Sequence, residues 1–316
     1  MTKTFFLYSN MPMPGTPLFP TFKPIELEDR DVFRNLFRAY RAVTSELTFT
    51  NLFIWSPHYN FQWSLYKDWI ILLCREGEDG LCALGPVGPS PRVEVTRMLL
   101  EWMRDEKGEG RPRIERADER LAGEVVGMEG ISVEPTRDHF DYVYLRDDLV
   151  RLAGSRYRSK RNHINQFLRA YSFRYVPLGS EHIEDCLELQ EKWCRLRRCE
   201  DDLNLLGEWE AVREILMCYE SLDVQGGVVT IEIKVKAFTV GEMLNDETTV
   251  VHIEKVDPDI PGLYPVINQQ FCENNRQNLR YINREQDLGV PGLREAKLSY
   301  HPDHFAKKYR IVLAGK

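Results

Sequence analysis

The hydrophobic pattern changes period several times between residues 227 and 302, and each change predicts an element. Alternation and β-branched residues at 228–231, 237–240 and 248–253 predict three strands, and the short polar connections between them predict a meander. After Val256 the breaker-rich run 257–262 ends the third strand, and Leu263, Val266, Ile267 and Gln270 then share one helical face. Pro265 sits in the first turn, where a missing N–H costs nothing. The next run, 279–287, starts as a strand and places Tyr281, Asn283, Glu285 and Asp287 on one side. Neighbouring polar groups on one face are poor core material, so this strand end is expected to line a ligand crevice.

The earlier half shows a similar order. Val32, Phe33, Leu36, Phe37 and Tyr40 form a helical stripe, and 69–74 reads as a buried strand. Residues 80–91 supply a second strand and a Gly/Pro-rich loop, followed by a helix with Val95, Met98, Leu99 and Trp102 on one face. After a polar connection at 108–113, the alternating run 140–145 is expected to close this lobe. These readings divide the chain into lobes at 1–150 and 151–316, with no sequence repeat between them. In the helix predicted for 155–171, Tyr157, Ile164, Phe167, Leu168 and Tyr171 fall in one arc at about 100° per residue. Lys160 lies inside that arc, where it either snorkels to water or faces a cleft between the lobes.

A three-strand meander, a turn presenting a helix N-terminus, a helix and a diverging strand together resemble the GNAT acyltransferase superfamily. Four phrases sharpen the likeness: SELTFTNLFIW at 45–55, YRSKRNHINQF at 157–167, NREQDLG at 283–289 and GLREAKLSY at 292–300. They resemble the soluble bacterial family related to the C-terminal domain of phosphatidylglycerol lysyltransferases. That resemblance implies an α+β fold of two GNAT-like lobes in tandem, each a mostly antiparallel mixed sheet flanked by helices. It also implies transfer of an aminoacyl group from a charged tRNA, although family membership does not set the substrate.

Composition fits a globular intracellular protein, since 316 residues at 43% hydrophobic content can bury two medium cores. Residues 1–10 hold no long apolar stretch, and the longest apolar run, 69–74, is too short to span a bilayer. No membrane span is therefore expected, which weakens a lipid acceptor and places the chain in the cytoplasm. Seven cysteines without a regular framework fit free thiols in a reducing compartment. A net charge of −7 repels polyanions as a whole, so any tRNA contact must be local. The candidate is the basic segment carrying Arg151, Arg156, Arg158, Lys160, Arg161, His163 and Arg169.

No Gly-x-Ser-x-Gly elbow, P-loop or dinucleotide fingerprint occurs, and no metal site is expected at Cys194, Cys199, His301 or His304. Acetyl-CoA-using relatives of this fold bind pyrophosphate on glycine-rich amides at a helix N-terminus. The equivalent turn here, 257–264, has one glycine and the carboxylates of Asp257 and Asp259, so acetyl-CoA is the less favoured donor and no cofactor is expected. For aminoacyl transfer to a small acceptor, Glu285, Asp287 and Asn283 are the catalytic candidates. Tyr264, Arg294, Lys297, Lys160 and Arg161 are the substrate-binding candidates. The competing account makes Glu285, Asp287, Arg294 and Lys297 a structural ion-pair network. Two other functions stay open: a CoA-dependent N-acetyltransferase, and a non-catalytic binding protein for a small cationic metabolite.

Overall fold

A computed structural model describes residues 15–75, 80–275 and 279–314; the expectation for residues 1–10 lies outside them. Six strands come first: β1 (Lys23–Pro24), β2 (Gln62–Tyr66), β3 (Trp69–Arg75), β4 (Leu81–Val87), β5 (Arg113–Asp118) and β6 (Ile131–Pro135). Then follow β7 (Asp141–Leu145), β8 (Phe173–Pro177), β9 (Val224–Ile231), β10 (Lys234–Asn245), β11 (Thr248–Val256), β12 (Tyr281–Asn283), β13 (His304–Ala306) and β14 (Lys308–Leu313). The helices near the start are α1 (Arg30–Tyr40), α2 (Phe49–Ile54), α3 (Ser56–Tyr59), α4 (Val93–Asp105), α5 (Glu119–Val125) and α6 (Arg146–Arg151). The remainder are α7 (Arg158–Ala170), α8 (Ile183–Arg197), α9 (Leu203–Met217), α10 (Leu263–Asn274) and α11 (Pro291–Leu298).

The strands form two seven-stranded mixed sheets, ordered β1-β2-β3-β4-β5-β14-β6 and β13-β7-β12-β11-β10-β9-β8. The meander β9-β10-β11, helix α10 and the parallel strand β12 follow the expected order. The first sheet repeats it with β2-β3-β4, α4 and the parallel strand β5. The strand at 140–145 does not close the first lobe: β7 pairs with β12 and β13 in the second sheet. In exchange β14, near the chain's end, sits between β5 and β6 in the first sheet. The division expected at residue 150 is thus crossed twice. Alternation marks a strand but not its partner, and Tyr142 and Tyr144 of β7 pack into the core under α10.

One core joins both sheets. Phe33 and Phe37 of α1, Leu52 of α2 and Trp63 of β2 pack in the same cluster as Val228, Phe238 and Ile253 of the second sheet. Truncating one of these aromatic side chains to alanine costs about 3–5 kcal/mol, so the lobes are energetically one body. The far face of the second sheet is covered by α6, α7 and α10, and that of the first by α4 and α5.

Two further expectations change. The run 279–287 is a strand only to Asn283, because Glu285 and Leu288 adopt left-handed φ of 55° and 52° and carry the chain off the sheet. Its polar residues therefore do not share one face. Four cysteines are also not free: Cys74 faces Cys82 across β3 and β4, and Cys194 faces Cys199 past the end of α8, pairing as disulfides. Cys186, Cys218 and Cys272 are free thiols. On α7, Ile164 and Phe167 are buried as the wheel predicts, whereas Leu168 is 50% exposed.

Candidate functional site

The strand exchange brings buried charges together where the sheets meet. Lys308, the first residue of β14, is fully buried and its Nζ donates to Glu46 Oε1 and Asp141 Oδ1, both at 2.6 Å. It also reaches Gln286 Oε1 at 2.8 Å. Asp141, at the start of β7, accepts in addition from Ser45 N at 2.8 Å and from Asn283 Nδ2 at 3.1 Å. Asn283 Oδ1 then accepts from Glu285 N at 2.8 Å, which fixes the second residue past the end of β12.

Glu285 stands at the end of this seam, and its side chain keeps 18% of its accessible surface. Its Oε1 contacts His252 Nδ1 at 2.8 Å and accepts from Asn51 Nδ2 at 3.1 Å; Oε2 takes part in neither contact. His252, on β11, contacts Glu242 Oε1 of β10 through Nε2 at 2.9 Å. A β-bulge between Val240 and Gly241 lets His252 sit between the carboxylates of Glu242 on β10 and Glu285 in the turn after β12. Glu242 in turn lines a cavity of about 690 Å³, walled by α1, residues 47–50 and the ends of β9 and β10. The relay runs from this cavity through His252 to Glu285.

The gap between β11 and β12 holds a second group. These strands pair only from Thr248–Tyr281 to Val250–Asn283 and then diverge. Arg284 fills the opening: Nη2 donates to Glu254 at 3.0 Å, the guanidinium lies 4.9 Å from the Tyr300 ring centre, and buried Nη1 has no hydrogen-bond partner among the described residues. Lys160 approaches the same ring at 4.1 Å, and burial with the Arg284 charge lowers its pKa. Lys297 Nζ donates to the carbonyls of Arg284 and, at 2.6 Å, Gln286. Those carbonyls flank Glu285, so Lys297 clamps the left-handed turn that presents it.

The other residues expected in the site lie elsewhere. Asp287 is buried on the opposite side of the turn, accepting from Tyr142 at 2.5 Å, from Arg294 at 2.7 and 2.9 Å and from Gly289 N at 2.9 Å. These donors hold its carboxyl well below the usual range despite the desolvation that opposes it. Arg294 also reaches Asp138 at 2.6 Å, so this pair ties α11 to the body. Arg161 donates to the carbonyls of Leu152 and Gly154, bracing the turn before α7. Tyr264 is 43% exposed in the first turn of α10. No group of three His, Cys, Asp or Glu side chains suited to a metal occurs among the described residues.

Nothing in the local sequence pattern singles out Glu242, Arg284, Asn51 or Lys308, and little singles out His252. The one available signal was a lone histidine inside the β-branched run 248–253. Lys308 and Asp141 meet only through the strand exchange.

The relay sets a pH dependence. Burial alone lowers the His252 pKa, but its hydrogen bonds to Glu242 and Glu285 overcome this and raise it to about 9. A folded-state pKa above the unfolded value, about 6.5, gives stability that is complete below that value and lost as pH rises through the folded pKa. The contribution is on the order of 3 kcal/mol. Lys297 acts in the opposite direction, since burial first and the Arg284 charge second lower its pKa to about 8. The readout is therefore the difference in urea stability between wild type and His252→Gln from about pH 6 to pH 10. That difference is expected to shrink through about pH 9; a constant difference would show that the imidazole carries no charge.

Two mixed sheets, each with a parallel pair that splays beside a crossover helix, define a tandem acyltransferase-type fold of the GNAT kind. The profile of the family Phosphatidylglycerol lysyltransferase, C-terminal, matches residues 37–312, and the chain belongs to that family. A conserved protein of unknown function from Bacteroides thetaiotaomicron is 34% identical, with 92% of this chain and 99% of that one covered and a TM-score of 0.85. The C-terminal domain of a putative lysylphosphatidylglycerol synthetase from Agrobacterium fabrum shares the fold at 13% identity, 91% and 92% coverage and a TM-score of 0.64. L-PGS from Bacillus licheniformis does so at 13% identity, 92% and 93% coverage and a TM-score of 0.63. Family and fold support an acyl or aminoacyl transferase. Among the described residues no helix is long and apolar enough to cross a membrane.

Proposed function

We propose that this chain works in the cytoplasm and transfers an aminoacyl group from charged tRNA to an amine or hydroxyl of a small acceptor. The observation that carries the reading is two consecutive residues with spare polar atoms: Glu285, with Oε2 outside its contacts to His252 and Asn51, and Arg284, with a buried Nη1 lacking a partner among the described residues. An aminoacyl ester is already activated, so the protein must supply a proton acceptor and a donor for the oxyanion. Glu285 takes the nucleophile's proton, Arg284 meets the carbonyl oxygen as it gains charge, and the ester C–O bond breaks. The departing ribose oxygen takes a proton back from Glu285. His252, Asn283 and Lys297 position Glu285 without touching substrate.

The helix termini support a donor without pyrophosphate. At the start of α10, Gly262 has φ 83° and a Cβ there would sit 2.5 Å from the His163 carbonyl oxygen, so the backbone of α7 lies against that turn. Asp257 in the same turn is bound by Lys192 at 2.6 Å and Lys236 at 2.9 Å. At the start of α4, Glu124 already accepts from Arg92 N at 2.6 Å and Ser90 Oγ at 2.8 Å. A bound pyrophosphate would have to displace these groups.

The test is charged-tRNA binding measured against salt. Arg158 and Arg169 are exposed on α7, while Lys160 and Arg161 are engaged internally. Arg158→Ala and Arg169→Ala are each expected to reduce the salt slope by about 0.7–0.9. Acetyl-CoA titrated in parallel is expected to give no one-site isotherm. Absent tRNA binding at low salt, or slopes unchanged in both variants, would remove tRNA as the donor.

A further inference from the structure

The cavity beside the relay has a charge pattern that the transfer chemistry does not use. Arg30, Arg34 and Arg38 of α1 and Arg41, the residue that caps its C-terminus, all line it. Arg34 is neutralised by Asp223 at 2.6 Å and Asp31 at 3.1 Å, and Arg30 donates to the Ser221 carbonyl and meets Asp31 at 3.5 Å. The side chains of Arg38 and Arg41 have no hydrogen bond or ion pair among the described residues. The end of β10 contributes Glu242 to the same cavity, with the next turn adding Asp246. Glu242 commits Oε1 to His252. Phe37, Leu47 and Leu244 supply apolar lining between these polar groups.

A free phosphate or a polyanion would meet the arginines but also Asp223, Asp246 and Glu242, which repel it. A simple cation would leave Arg38 and Arg41 unanswered. Charges of both signs line the cavity, exposed Arg38 and Arg41 on one side and Glu242 and Asp246 on the other, so they match a dipolar ligand with an apolar middle. The volume, about 690 Å³, falls in the range of roughly 300–1,000 Å³ that holds small organic ligands.

We infer that this cavity binds a zwitterion, a free α-amino acid or short peptide, whose carboxylate meets Arg38 and Arg41 and whose ammonium meets Glu242. Charge-assisted hydrogen bonds at both ends give the recognition its direction. With an imidazolium between two carboxylates, the relay carries one net negative charge, which favours a cationic group beside Glu242. The occupant then shares Glu242 with His252, one side chain away from Glu285. The inference goes beyond the transferase reading and does not depend on it.

The experiment is calorimetric titration of the full chain, without tRNA, using L-alanyl-L-alanine, its N-acetyl form, its carboxamide, and inorganic phosphate. The free dipeptide is expected to bind in the millimolar range or tighter, with each blocked form at least about tenfold weaker. Arg38→Gln with Arg41→Gln is expected to erase the preference for the free acid over the amide while keeping the preference for the free amine. Glu242→Gln is expected to do the reverse, with urea stability measured alongside to confirm that it folds. No binding by the dipeptide would overturn the inference, as would phosphate binding as tightly as the dipeptide or wild-type preferences in the arginine double variant. Failure of tRNA binding leaves these outcomes unaffected, so the two readings fail separately.

Discussion

Lys308→Met is expected to cost about 3–5 kcal/mol of stability, a large share of the roughly 5–15 kcal/mol that holds a typical protein folded. The Lys308 ammonium is fully buried and makes 2.6 Å contacts with both Glu46 and Asp141. Removing it leaves two carboxylates close together in the interior, and an uncompensated buried charge costs far more than the ion pair contributes. The consequence is topological as well, because Lys308 belongs to the first sheet and Asp141 to the second. Urea denaturation of Lys308→Met and of the double variant with Asp141→Asn would measure it. The double variant is expected to recover part of the loss, since it deletes one stranded charge. A loss below about 1 kcal/mol for the single variant would mean that Arg116, 3.9 Å from Glu46, takes over, and the seam would not be what joins the sheets.

That seam also shows how far the sequence could be read. Hydrophobic period located β9, β10, β11 and α10, because each is a local pattern tied to one buried face. It also placed Ile164 and Phe167 of α7 correctly in the core. The pairing of β7 and β14 was invisible, since which edge a strand joins depends on contacts between residues far apart in the chain. The phrases that carried the family resemblance turn out to meet in space. Ser45, Glu46 and Asn51 come from the first, Asn283, Glu285 and Gln286 from the third, and Lys297 from the fourth. Strand periodicity misled at 279–287 for a local reason: left-handed backbone at Glu285 reverses the alternation, and nothing in a glutamate announces positive φ. Alternation therefore assigns Glu285 a pocket-facing strand position that it does not hold. Its actual setting, against His252 and Asn51, is built from three separate segments.

Glu285→Gln is expected to lower aminoacyl transfer by about a hundredfold to ten-thousandfold, the usual range for removing a proton acceptor. The amide keeps the shape of the side chain and its contacts with Asn51 and His252 on the existing oxygen, but it cannot accept the nucleophile's proton. Glu285→Ala should abolish transfer to the same degree and also release His252 on one side. Folding should survive both changes, because Asn283 and Lys297 hold the turn through its backbone and not through the carboxylate. The measurement is loss of aminoacyl ester from a full set of charged tRNAs, with small-molecule extract as acceptor, compared with tRNA affinity for each variant. Transfer reduced with affinity unchanged identifies a group acting on the chemical step; equal losses in both would assign Glu285 to binding. Arg284 supplies the matching control, since Arg284→Lys keeps a charge but loses the planar fork and the free Nη1. If Glu285→Gln retained wild-type transfer, the proton would have to leave by another group, and the relay would be structural.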